Sequence, residues 1–284
     1  MVRQGNDKRS GQSEWSHFRK GCAMNGASTQ SAGTSVDKFW STPPKLGKFR
    51  VIGHRGAPEY VLENTAAAFR HALESGADAV ETDVHLTKDR TVVCLHDGDL
   101  LRVAGFPDAI ADIDIKQARR LFPALLTFND FLEMTRGKPI IVDLKQATAA
   151  EVDIYVGSCQ SLGAVERILF TAYTTEIAEA IRCRSASATV GAFFPDGGAG
   201  LDVAVSVGAS WIRVLPADYD RPTIDTIRRA GLGTIAVASP RSSFQTATDI
   251  GALVAIARLG IDGVLTDRPD LARDRRLTSV GAPV

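Results

Sequence analysis

From Phe49 onward the chain repeats one pattern: a short β-branched run, then an amphipathic stretch, then another run. Apolar residues alternating with period two read as strands, and those recurring at three- and four-residue spacing read as helices. The strand candidates are 50–53, 79–85, 139–144, 167–172, 188–194, 210–215, 233–238 and 262–266. Helices are expected at 65–75, 148–161, 174–183, 199–207, 221–230, 246–258 and 269–275. Eight strands separated by helices predict an α/β protein of the (β/α)₈ TIM-barrel class. A doubly wound open sheet is the structural alternative. No GxGxxG or GxxxxGK fingerprint opens the first helix, which argues against it.

The stretch 98–135 reads as a short insertion after the second strand, with helical pieces at Ile115–Leu121 and Phe128–Met134. In the first helix, Asn64 or Thr65 can serve as the cap. Ala66, Phe69, Ala72 and Leu73 repeat at helical spacing, and Gly76 follows as a stop.

Residues 1–48 form an N-terminal extension, rich in Ser, Gly, Lys and Gln and closing on Ser41-Thr42-Pro43-Pro44. Its aromatics Trp15, Phe18, Phe39 and Trp40 suggest partial packing, because disordered segments are poor in such residues. Residues 49–284 are the barrel domain. Lys+Arg and Asp+Glu both number 33, so the formal charge is zero. That balance offers neither a field for nucleic acid nor a polybasic patch for an anionic membrane. The first residues lack the apolar core of a signal peptide, and no run reaches the ~18 apolar residues of a membrane span. A cytoplasmic location is expected. Cys22, Cys94, Cys159 and Cys183 form no CxxC pair and are expected to be free thiols. The sequence carries no signal for oligomeric state.

In such a barrel the chemistry sits where the strands end. Arg50-Val51-Ile52-Gly53 runs into His54-Arg55-Gly56. On the second strand, Glu81 and Asp83 are two residues apart and therefore share a face. Carboxylates held together repel unless a cation or proton compensates, and a hard divalent ion such as Mg²⁺ or Ca²⁺ prefers oxygen ligands. Ile140-Ile141-Val142 leads to Asp143-Leu144-Lys145, adding a third carboxylate and a cation on one face. Val92-Val93-Cys94-Leu95 ends in His96-Asp97. A metal with Arg55 and Lys145 would neutralise a phosphodiester, while His54 and His96 would move protons.

Together, His54-Arg55-Gly56, Glu63-Asn64-Thr65, Glu81-Thr82-Asp83-Val84, Thr87-Lys88-Asp89 and His96-Asp97 resemble the glycerophosphodiester phosphodiesterase family. The closing run from Gly260 to Pro269 is similar to that family's last strand and its exit. The resemblance implies a TIM barrel hydrolysing a soluble, small-molecule glycerophosphodiester with one divalent metal. It carries Glu81 and Asp83 over as metal ligands, with Asp143 as the third. His54 and His96 become the acid/base pair, Arg55 and Lys145 phosphate contacts, and Glu63 a substrate-side support. The family commonly has Glu-x-Lys where this chain has Asp143-Leu144-Lys145, a feature that also resembles the spider phospholipase D toxins and their cyclic-phosphate route. It often has a Trp-Thr-Val-Asn-like stretch where this chain reads Ala236-Val237-Ala238-Ser239-Pro240.

These departures leave a sugar phosphodiester of the agrocinopine kind as an alternative substrate. A catalytically inactive binding protein of the same fold is a second alternative. Arg213 is a weaker candidate for the site, and His85 and His71 read as surface histidines.

Overall fold

A computed structural model describes residues 36, 38–41, 43, 49–239 and 249–278. In chain order the strands are β1 (Arg50–Gly53), β2 (Ala79–Leu86), β3 (Val92–Cys94), β4 (Asp99–Leu100), β5 (Phe106–Ala109), β6 (Ile140–Asp143), β7 (Ile168–Ala172), β8 (Thr189–Ala192), β9 (Trp211–Arg213), β10 (Gly233–Ala238) and β11 (Gly263–Thr266). Eight of them pair in parallel in the order β1, β2, β6, β7, β8, β9, β10, β11. β1 closes the ring by pairing with both β11 and β2. A closed ring leaves no strand edge exposed. This is a (β/α)₈ TIM barrel.

Helices α1 (Ala66–Ser75), α5 (Ala149–Ser161), α6 (Thr175–Arg184), α7 (Leu201–Ser206), α8 (Arg221–Arg229) and α9 (Ile250–Arg258) follow their strands. Short α2 (Leu101–Ala104), α3 (Ile115–Leu121) and α4 (Phe128–Met134) belong to the insertion, and α10 spans Arg275–Thr278. Thr65, Asp114, Thr127, Thr148, Thr174, Asp220 and Asp249 each cap a helix, their side chains accepting a backbone N–H. Such caps satisfy donors that have no partner within the helix. The segment 269–275, expected to be helical, is instead a 3₁₀ turn, Pro269–Arg273, before α10. Residues 246–248, Trp15, Phe18 and Pro240 lie outside the described residues.

Strand periodicity sorts the side chains into two cores. Ile52, Ala79, Ile141, Leu169, Phe193, Trp211, Ile235, Val237 and Leu265 point inward and pack together with Trp40. Val51, Ala192, Ile212, Ala236 and Val264 face outward against the helices. Trp40 lies edge-on to Trp211, and the Trp211 indole donates to the Trp40 carbonyl at 2.7 Å. The Arg50 guanidinium stacks over Phe39, Trp40 and Trp211. Trp211 and Arg50 begin their strands, so these aromatics fill the N-terminal end of the barrel.

β2 continues beyond the barrel wall, turns back, and pairs antiparallel with β3 through Val84↔Cys94 and Leu86↔Val92. This hairpin returns the chain to the end of β2, where the Leu95 N–H donates to the Asp83 carbonyl. The insertion then builds a satellite core of Val93, Leu95, Leu100, Ile110, Ile113, Ala118, Phe122 and Leu125. Among the described residues, no helix is long and apolar enough to cross a membrane. Cys94 and Cys159 are buried free thiols, as expected. Cys183 is disulfide-bonded, which overturns the expectation of a free thiol there.

Candidate active site

The C-terminal ends of the strands open into a cleft of about 530 Å³. His54, Arg55, Glu81, Asp83, His96, Asp143 and Lys145 all line it, together with Tyr173, Phe193 and Arg213. Of the residues given a site role in the sequence, all but Glu63 therefore face this one space. Glu63 stands behind it and accepts a bond from Arg55 at 3.0 Å.

The carboxylate cluster follows from register. Parallel pairing sets Asp83 beside Asp143, and Asp143 beside Thr171. Glu81 lies one inward position below Asp83 on the same strand. One ligand oxygen from each of Glu81, Asp83 and Asp143 lies within 4.8 Å of the others. Burial pushes the Glu81 carboxyl well above its usual range, and the charges of Asp83 and Asp143 push it further. Burial also raises Asp143, with Asp83 adding to the effect. An all-oxygen set under mutual repulsion fits a hard divalent cation, which would favour the charged form of all three.

Each carboxylate is held in place. Asp83 accepts from Asn64 Nδ2 at 3.0 Å and lies 3.4 Å from Arg55 Nε. Asn64 in turn accepts from the Thr82 hydroxyl. Asp143 accepts from Thr171 Oγ1, Tyr173 OH and the Lys145 backbone N–H at 2.9–3.0 Å. Glu81 accepts the Arg55 backbone N–H at 2.8 Å. That last contact requires a sharp turn after β1. Arg55 and Asn64 adopt positive φ of 53° and 55°, rare for residues other than glycine. The cost of such strain is borne where the surrounding contacts enforce it, as they do at this cleft.

The cations come from four directions. Burial opposes the Arg55 charge, but Asp83, Glu63 and Glu81 outweigh it and raise its pKa. Arg213, at the end of β9, stacks over Tyr173 and Phe193 and donates to the Phe194 carbonyl. Lys145 lines the rim. Arg102 of the insertion donates two bonds of 2.8 Å to Glu63.

The two histidines share one arrangement. His54 Nδ1 lies 2.8 Å from Asp267 Oδ1, whose carboxylate is fully buried and also accepts from the Ser239 hydroxyl. His96 Nδ1 lies 2.6 Å from Asp97 Oδ1. A carboxylate accepts and does not donate, so it fixes the proton on Nδ1 of a neutral imidazole and leaves Nε2 as the basic nitrogen. His85 is half-buried and donates from Nε2 to the His96 carbonyl, so it is no free surface histidine. His71 stacks loosely on Tyr60 beside α1, outside the cleft.

The sequence profile described as the glycerophosphoryl diester phosphodiesterase family matches residues 54–168. Over that span the chain is similar to this family. The matched span contains both histidines, all three clustered carboxylates and the Arg55, Glu63 and Lys145 side chains. A glycerophosphodiester phosphodiesterase of Caldanaerobacter subterraneus is 42% identical over 74 residues, 26% of this chain and 30% of that protein. A human lysophospholipase D is 48% identical over 62 residues, 22% of this chain and 20% of that protein. These matches therefore span less than a third of either relative's length. The crystal structure of a glycerophosphodiester phosphodiesterase from Agrobacterium tumefaciens superposes with a TM-score of 0.69. It covers 78% of this chain and 98% of that one, at 24% identity, a likeness of fold.

Asp267, Tyr173, Ser239 and Arg102 were assigned no role from the sequence. Tyr173 could have been found by extending β7 parity from Leu169 through Thr171. Asp267 sits inside the quoted Gly260–Pro269 run but carried no signal naming His54 as its partner. Arg102 lies in the insertion, where no periodicity points inward.

Proposed function

We propose that this chain is a divalent-cation-dependent phosphodiesterase that converts a soluble glycerophosphodiester into a phosphomonoester and an alcohol. The observation that carries the reading is the pairing of two carboxylate-held histidines with three converging carboxylates in a single cleft. The match of residues 54–168 to the glycerophosphoryl diester phosphodiesterase profile supports the same reaction class.

Glu81, Asp83 and Asp143 would hold the cation. When bound, it would supply Lewis-acid polarisation of a phosphoryl oxygen. Arg55 and Lys145 face the remaining phosphate charge, and Glu63 keeps the Arg55 fork oriented. One histidine takes the proton of the attacking oxygen through Nε2 as the new O–P bond forms. The other, starting protonated, gives its Nε2 proton to the departing alkoxide as the old P–O bond breaks. Imidazole can both accept and donate a proton near neutral pH, which suits it to both tasks. The attacking oxygen belongs to water or to a neighbouring hydroxyl of the substrate.

The test is a hydrolysis screen after chelation and re-addition of Mg²⁺ or Ca²⁺. Its substrates are glycerophosphocholine, glycerophosphoethanolamine and lysophosphatidylcholine, followed by ³¹P NMR. Release of a phosphomonoester from the soluble diesters supports the proposal. A transient cyclic phosphate would assign the attack to the substrate hydroxyl. No turnover of any diester with either ion sinks it.

A further inference from the structure

The His54 and His96 carboxylates differ in one respect. Asp267 is fully buried and its second oxygen is tied to Ser239. Asp97 is about a third exposed, at 29% for its side chain, and belongs to a loop beside the cleft mouth. An exposed aspartate is free to rotate and to be solvated, which would loosen its hold on an imidazole. What ties the second oxygen of Asp97 is Arg102, whose Nε donates to Oδ2 at 2.6 Å. The two terminal nitrogens of the same guanidinium take both oxygens of Glu63 at 2.8 Å. Glu63 accepts in addition from Arg55 at 3.0 Å. An unbroken chain of charge-assisted bonds thus runs from His96 through Asp97, Arg102 and Glu63 to Arg55.

We infer that Arg102 is a positioning residue for His96, doing at the exposed side of the cleft what Ser239 does for Asp267 at the buried side. The inference rests on the proposed use of His96 in proton transfer. Groups that orient the partner of a functional histidine fix its tautomer and ring angle, and their loss costs about 10–100-fold in comparable sites. The planar guanidinium matters because one flat fork serves three acceptor oxygens on two carboxylates, a geometry an ammonium cannot reproduce. Arg102 is carried by α2, so the insertion between β3 and β6 contributes to the site through this contact.

Asp97 and Glu63 are both held below their usual carboxylate range against the opposing effect of burial. Arg102 does this for each, with His96 assisting at Asp97 and Arg55 at Glu63. The Arg102 side chain is itself 45% exposed, so its removal leaves no cavity in the core.

The decisive experiment compares wild type, Arg102→Ala, Arg102→Lys and Asp97→Ala as full chains. The ¹⁵N shifts of the His96 and His54 rings are recorded at one pH without added metal. Kinetics on glycerophosphocholine follow with saturating Mg²⁺. In Arg102→Ala, His96 should pass from the Nδ1–H tautomer to a mixture while His54 is unchanged. The kcat value should fall about ten-fold or more with KM within about three-fold, and Arg102→Lys should recover only part of it. Combining Arg102→Ala with Asp97→Ala should add little to the loss from Asp97→Ala alone. An unchanged His96 spectrum in Arg102→Ala, or equal disturbance of His54, overturns the inference. If wild type hydrolyses no diester, the phosphodiesterase reading fails, and the ring shifts still decide whether Arg102 positions His96.

Discussion

His54 Nδ1 and Asp267 Oδ1 lie 2.8 Å apart across the seam where the last strand of the barrel pairs with the first. The two residues are 213 positions apart in sequence, and Asp267 is fully buried. Replacing it by Asn keeps the shape but presents an amide that can donate to Nδ1 and so favour the wrong tautomer. Asp267→Asn is expected to lower kcat by about 10²-fold or more at unchanged metal affinity. Steady-state kinetics with a metal titration checks this. Near-normal turnover in folded protein would remove Asp267 from the account.

His54→Ala and His96→Ala should each lower kcat by about 10²-fold or more. Both rings line the cleft, and circular dichroism of each variant should match wild type. The double variant should be little worse than the poorer single one, because on the proposed mechanism both histidines would serve a single displacement.

Metal removal tests the carboxylate cluster separately from turnover. Three carboxylates held within 4.8 Å repel one another, and Glu81 and Asp143 are both pushed upward by burial and like charge. Adding Mg²⁺ or Ca²⁺ to chelated protein should raise Tm in a concentration-dependent way. The rise should vanish in Asp83→Ala. A Tm indifferent to both ions would reject the cluster as a cation site.

Glu63 supplies a pH signature. Burial alone would raise its pKa, but Arg102 and Arg55 hold it below the ordinary value of 4.5. A depressed carboxylate contributes stability above the unfolded pKa, and that contribution is lost as pH falls through the lower folded value. Urea denaturation of Glu63→Gln should therefore show its largest deficit against wild type above pH 4.5 and a shrinking deficit below it. A deficit that grows with acidity would give the opposite sign and refute the linkage.

Gly56 closes the turn that brings the Arg55 N–H to Glu81. Its φ is +92°, and an added Cβ would lie 2.7 Å from the backbone carbon of Ala68. Gly56→Ala should destabilise the protein by about 1–3 kcal/mol, measured by denaturant titration. Wild-type stability in this variant would show that the turn relaxes freely.

The fold was legible because strand and helix periods alternate along the whole barrel. Glu81, Asp83 and Asp143 could be placed on one inward face because parity is a local property, whereas Lys145 lies past the end of β6 at the rim. What stayed hidden depends on contacts between distant segments. His54 and Asp267 meet only when the ring closes. Arg102 reaches Glu63 because the β2–β3 hairpin and the insertion fold back over the mouth, which no periodicity encodes. The 3₁₀ turn at 269–273 was taken for a helix because Pro269 and the following apolar residues fit either first turn. β10 presents Val237 to the cleft, which draws its aromatic wall from Tyr173 and Phe193.

Trp40 and Trp211 stopper the far end of the barrel. Among the described residues the vessel is therefore blind, with one mouth. On the proposed function, arriving diester and departing fragments would use the same opening in turn. A retained phosphomonoester, still gripped by Arg55 and Lys145, would obstruct the next arrival, so inhibition by product should be competitive in form.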